Sequence, residues 1–144
     1  MLKHLAAVVA LAALLTAPAF AKTQHFDEMD NGQISFVMPS GNVGCLYTPE
    51  CGTETYQPAD GGPELICERV EPTYRTVILT PWDEPTVIKN PGEQSCCGGD
   101  NVFKYGNSVE LDGFICTSKT SGLRCETEDG EHGFSIARAG VKTY

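Results

Sequence analysis

The side chains with the most chemistry in this chain are its seven cysteines, at positions 45, 51, 67, 96, 97, 116 and 125, and His132 shortly after the last of them. A cysteine serves as nucleophile, metal ligand or half of a disulfide, and spacing helps to separate these uses. Structural zinc sites usually show Cys-x2-Cys or Cys-x4-Cys knuckles with matching partners. The nearest spacings here are Cys45-x5-Cys51 and the adjacent Cys96-Cys97, so no metal site and no cofactor is expected. Disulfides fit better. Cys116 and Cys125 flank the turn-rich Ser118-Lys-Thr-Ser-Gly122 as the arms of a hairpin would. A loop from Lys119 to Gly122 makes them direct cross-strand neighbours, about 4.5 to 5.5 Å apart at Cα and therefore bridgeable. Cys45 with Cys67 is the second expected pair, and Cys51 with Cys96 or Cys97 the third. A vicinal Cys96-Cys97 bond closes a small strained ring and is placed below these.

An odd cysteine count leaves one thiol over, from Cys51, Cys96 or Cys97. Beside His132 acting as base, such a thiol would make a thiol-dependent hydrolase or redox enzyme. Through the Cys96-Cys97 pair it could instead link two copies of the chain as a disulfide-bonded homodimer. The alternative for His132, between Glu131 and Gly133, is a residue that hydrogen-bonds a turn and sets the entry of the last strand. Arg138, read as a same-face neighbour of Phe134 and Ile136, could bind an anion, but pairing with one of the nineteen carboxylates is the expectation. Asp27-Glu-Met-Asp-Asn-Gly-Gln-Ile34 places Asp27, Asn31 and Gly32 as in a calcium loop, yet Met29 and Met38 stand where two ligands are needed, so a solvated tail is expected. The acidic run Glu126-Thr-Glu-Asp-Gly-Glu131 fits an Asp-Gly turn between strands. No Gly-rich phosphate loop, nucleophile elbow or basic patch occurs.

The elements that must position these residues are short strands. Ile34, Phe36 and Met38 alternate with Ser35 and Val37 before the turn sequence Pro39-Ser-Gly-Asn, with Val43 to Tyr47 as hairpin partner. Pro- and Gly-rich stretches, 56–63 and 81–92, bracket strands at 65–67 and 76–79. Val102-Phe103, Val109 to Leu111, the Cys116/Cys125 hairpin and Gly133 to Arg138 complete the set. No stretch holds an apolar 3.6 period for three turns. The pattern predicts an all-β fold, a small disulfide-stapled sandwich or partly open barrel of short antiparallel strands with long loops.

Residues 1–21 read as a signal peptide, with Lys3 as the basic start, an uncharged run from Leu5 to Leu15, and Ala19-Phe-Ala21 as the cleavage site. The apolar run is too short for a membrane core about 30 Å thick, and Pro18 interrupts it, so no stable membrane anchor is expected after processing. Residues 22–32 read as a flexible N-terminal lead-in and 33–144 as a single β domain. Removing Lys3 takes the net charge from −9 to −10. Such a surface repels nucleic-acid phosphates and anionic lipid, leaving an envelope protein or a small ligand as the expected partner. An exported chain reaches a periplasmic or extracellular space in which disulfides persist.

The ordered set Phe36-Val-Met-Pro-Ser-Gly-Asn-Val-Gly-Cys45, Cys97-Gly-Gly-Asp100, Tyr105-Gly-Asn-Ser108, Cys116-Thr-Ser, Gly122-Leu-Arg-Cys125, His132-Gly-Phe134 and Arg138 resembles a family of small exported bacterial domains of unknown function. The resemblance spans residue 34 to the C-terminus. Glu131 stands where the family has Gly, and Tyr74 aligns with a usual Trp. A further family cysteine between the positions of Cys67 and Cys97 falls here to Cys51 or Cys96. The resemblance implies export and disulfides and assigns no activity, catalytic residue or cofactor. The chain therefore reads as a non-catalytic periplasmic or secreted module, binding or structural in role, with the thiol enzyme as its rival.

Overall fold

The computed structural model describes residues 20–89 and 91–144. The expected signal peptide, with Lys3 and the apolar run, lies outside the described residues except for Phe20 and Ala21. Eleven strands follow: β1 (Lys22–Thr23), β2 (Ile34–Val37), β3 (Val43–Thr48), β4 (Glu64–Arg69), β5 (Arg75–Leu79), β6 (Thr86–Lys89), β7 (Asn107–Leu111), β8 (Phe114–Lys119), β9 (Gly122–Thr127), β10 (Gly133–Ala137) and β11 (Gly140–Thr143). They form two separate sheets, β2-β3-β4-β5-β6 and β1-β7-β8-β9-β10-β11, so the fold is the sandwich rather than the barrel. From β2 to β6 and from β7 to β11 each strand pairs antiparallel with the next, which makes each sheet essentially one meander.

Alternation along the strands sets the two faces. Phe36, Cys45, Cys67 and Val77 lie in one cross-strand row of the first sheet and are buried. Val109, Cys116, Cys125 and Phe134 form the facing row of the second. Phe36, Phe103, Phe114 and Phe134 are among the largest fully buried side chains between them. Both cross-strand disulfides therefore sit inside the core. Cys45–Cys67 and Cys116–Cys125 each join directly opposed residues, with Cα atoms 4.1 Å apart. The β8–β9 turn is tighter than a four-residue loop, because Lys119 pairs with Gly122 around Thr120 and Ser121.

Several segments differ from the sequence reading. Val102 forms only an isolated parallel bridge to Val37, although Phe103 beside it is fully buried. β6 lies inside the Pro- and Gly-rich stretch 81–92, and β11 follows Arg138; neither has an alternating apolar pattern to announce it. The segment 22–32, read as a flexible lead-in, is placed against the sandwich. β1 pairs in parallel with β7, and the Gln24 amide donates to the Val102 carbonyl and accepts from the Lys104 N–H and Asn107 Nδ2. Phe26 stacks on Phe36 at 5.0 Å and meets Phe103 edge-on at 5.5 Å.

Candidate functional site

Because the strands alternate in direction, every second hairpin shares an end of the sandwich. The β2–β3, β4–β5, β8–β9 and β10–β11 loops meet at one end and enclose a groove of about 600 Å³. Its walls include Ser40, Gly41, Asn42, Val70 and Glu71 from the first sheet, and Lys119, Thr120, Ser121, Arg138 and Ala139 from the second. Met38 and Val43 are buried at its base, while Val70 and Tyr105 expose about 40% of their surface. That size lies within the usual range of small-molecule pockets.

Hydrogen bonds fix the groove before any ligand arrives. The Asn42 side chain accepts the Glu71 N–H at 2.7 Å and donates to the Glu71 carbonyl at 3.0 Å, while the Val70 N–H reaches the Asn42 carbonyl. This locks the β2–β3 turn to the β4–β5 turn. Arg69 locks one sheet to the other: from β4 its guanidinium donates to the Ala137 carbonyl of β10 at 2.9 Å and to the Thr73 carbonyl at 3.0 and 3.2 Å. It is 4% exposed, and burial, followed by the charge of Arg75, lowers its pKa. Gly122 permits the close approach of the second wall, since at φ +137° a Cβ there would stand 2.7 Å from the Ala137 Cβ.

Arg138 lies in the β10–β11 turn and not on the strand with Phe134 and Ile136, because β10 ends at Ala137. Nor does it pair with a carboxylate. Among the described residues the ion pair within reach is Arg124–Glu126, at 2.9 Å on the outer face of the second sheet. Tyr144 completes that cluster, donating to Glu126 at 2.9 Å while its ring lies 4.9 Å under the Arg124 guanidinium. The Arg124 and Tyr144 donors hold the Glu126 carboxyl below its ordinary pKa. A second cavity, about 530 Å³, adjoins the groove on this face and shares Lys119 with it while adding Arg124 and Lys142.

The expected third bridge between Cys51 and Cys96 or Cys97 is not formed. Cys51 is exposed and unpaired in the β3–β4 loop, whereas Cys96 and Cys97 pair with each other. The reason is position. The adjacent cysteines lie over the outer face of the first sheet at Gly44, where a Cβ would come 3.0 Å from the Cys97 Cβ. Cys51 lies beyond Thr48, at the far end of the same strand, roughly 13 Å further along at a strand's rise per residue. Tyr74 holds the cysteine loop, its hydroxyl accepting the Cys96 N–H at 2.9 Å. Cys96 and Cys97, the residues expected to be able to link two copies of the chain as a disulfide-bonded homodimer, are paired with each other within one chain.

Among the described residues no hydrogen bond joins the His132 side chain to a cysteine. His132 is in the β9–β10 turn of the second sheet, while Cys96 and Cys97 cover the outer face of the first. No hydrogen bond joins Cys51 to His132, whose buried Nδ1 has no partner among the described residues. The turn is held by other groups. Thr127 Oγ1 donates to the Asp129 carboxylate and accepts the His132 N–H at 3.2 Å, and the Glu131 N–H donates to Asp129 at 3.0 Å. Those donors, the Thr127 hydroxyl foremost, lower the Asp129 pKa. The imidazole therefore makes none of the turn hydrogen bonds expected of it; the main chain of His132 makes them.

Sequence reasoning singled out Arg138 but missed Asn42, Val70, Lys119 and Arg69. The signal for the first three was loop parity, since alternate connections of a meander share an end. Gly44 between Val43 and Cys45 was likewise a sign of close backbone approach within a strand. No family model, curated protein or solved structure matches the chain.

Proposed function

We propose that this is an exported, non-catalytic binding module that takes its ligand in the groove at the β2–β3, β4–β5, β8–β9 and β10–β11 end. The observation that carries this reading is a preformed groove of about 600 Å³ whose walls are tied by Asn42 and Arg69. A rigid scaffold presenting clustered loops is a common way to build a binding surface without catalytic machinery. Two disulfides within the core suit a chain that folds in an oxidising space. Several motifs of the resembled exported family, including Ser40-Gly-Asn42, Tyr105, Gly122 and Arg138, line this one groove. Processing after Ala21 would remove the exposed Phe20 and leave β1 whole, beginning at Lys22.

The test is native mass spectrometry of protein expressed with its own leader and purified from the periplasm, compared with Val70→Asp. The processed chain is expected to begin at Lys22 and to carry a ligand mass that Val70→Asp loses while melting as the parent does. A ligand retained by the variant would place the site elsewhere. Turnover dependent on His132 and a cysteine would replace the binding reading with the enzymatic one.

A further inference from the structure

We infer that the groove takes an amphipathic anion, a carboxylate or phosphate head on an apolar body, with Lys119 and Arg138 receiving the head. The inference rests on the groove being the binding site. Lys119 and Arg138 are exposed on its second-sheet wall, and neither has a carboxylate within ion-pair distance among the described residues. The same is true of every described lysine and arginine except Arg124, so what marks these two is that both stand exposed on one wall of the groove.

The distribution of charge sharpens the point. At the opposite end of the sandwich the β3–β4, β5–β6, β7–β8 and β9–β10 loops carry Glu50, Glu54, Asp60, Asp83, Glu84, Asp112, Glu128, Asp129 and Glu131 without one lysine or arginine. The four hairpin loops around the groove carry Glu71 as their one carboxylate, together with Arg138. Field lines from such a polarised molecule guide an anion away from one end and toward the other. Lys142 and Arg124 on the adjoining face extend the cationic wall, although Arg124 is engaged by Glu126. Glu71 stands on the opposite, first-sheet wall, so an anionic head is favoured on the second-sheet side.

The remainder of the groove asks for an apolar body. Met38 and Val43 form its base, and Val70 and Tyr105 offer exposed apolar surface beside it. A bare inorganic anion would leave that surface wet. An apolar chain would cover it while the head met the guanidinium and ammonium.

The experiment titrates the oxidised, processed protein with decanoate, decyl phosphate and decyl glucoside, each kept below its micelle-forming concentration. Calorimetry reads affinity, and amide chemical shifts of Val70 and Tyr105 report the location. At least one anionic probe is expected to bind with those shifts, more weakly at high salt, and the neutral glucoside at least about tenfold more weakly. Lys119→Gln/Arg138→Gln should lose at least about tenfold in affinity for the anion while melting as the parent does. Decanoate against decyl phosphate then distinguishes a carboxylate from a phosphate source. Equal binding of the glucoside, or undiminished anion binding by the double variant, overturns the anion assignment while Val70 and Tyr105 shifts still uphold the groove. Binding that moves neither signal overturns the groove itself, and binding by no anionic probe overturns the inference.

Discussion

His132 and Thr127 exchange the roles that their residue types suggest. An imidazole near a turn is a natural hydrogen-bonding group, yet here a buried threonine hydroxyl accepts the His132 N–H and donates to Asp129, while Nδ1 of the ring is buried without a partner. A buried polar group left unpaired costs free energy, so trimming the ring removes a liability together with its packing. Thr127→Val removes the hydroxyl's hydrogen bonds from a residue that is 2% exposed. That change is expected to cost about 1 to 3 kcal/mol, and His132→Ala less. In thermal melts the valine variant should fall by several degrees and the alanine variant by a smaller amount. A larger drop for His132→Ala would show that the imidazole carries the turn after all.

The hairpin is the element whose geometry the sequence specified best. Cys116 and Cys125 could be paired because turn residues fixed the register between them, and register alone decides whether two cysteines oppose each other. Cys51 could not be placed, since its partner would have had to come from a long loop whose path no periodicity determines. β6, β11 and β1 were illegible for a related reason: as short, largely exposed pieces at sheet edges they lack the buried face that writes alternation into a sequence. The groove was half legible, its turns readable one by one but their convergence hidden in the strand order. The two core bridges enclose separations of 22 and 9 residues, and loop entropy assigns each about 3 kcal/mol. Replacing either pair by alanine should therefore lower the unfolding free energy in denaturant by at least about that amount, with cavity costs added. Cys51→Ser, at an exposed unpaired position, should leave it unchanged. Alanine pairs that unfold at the parent's denaturant midpoint would refute the stapling role.

At the scale of the molecule the organising feature is charge polarity, and Tyr47 reports it from inside the fold. Its phenol is pushed up to about 12, first by burial and then by the carboxylates Asp112, Glu28 and Glu50, which lie toward the acidic end. The sign of the linkage follows. A tyrosine ionises near 10 in the unfolded chain, so its contribution to stability is fully present below pH 10 and is lost as pH rises toward about 12. Tyr56 behaves similarly, pushed up to about 12 by burial and its hydrogen bond to Glu64, so the measurement belongs in a Tyr56→Phe background. There, phenolate absorbance should show one group titrating well after the rest, coincident with an alkaline loss of thermal stability. Asp112→Asn with Glu50→Gln should move that late titration downward, and added salt should do the same, because both weaken the carboxylate field. The midpoint should nevertheless stay above 10, since burial is the larger cause and neither change exposes the ring. A late titration unmoved by charge removal would mean that the acidic end exerts no field at Tyr47. The electrostatic guidance of an anion toward the opposite groove would then lose its physical basis.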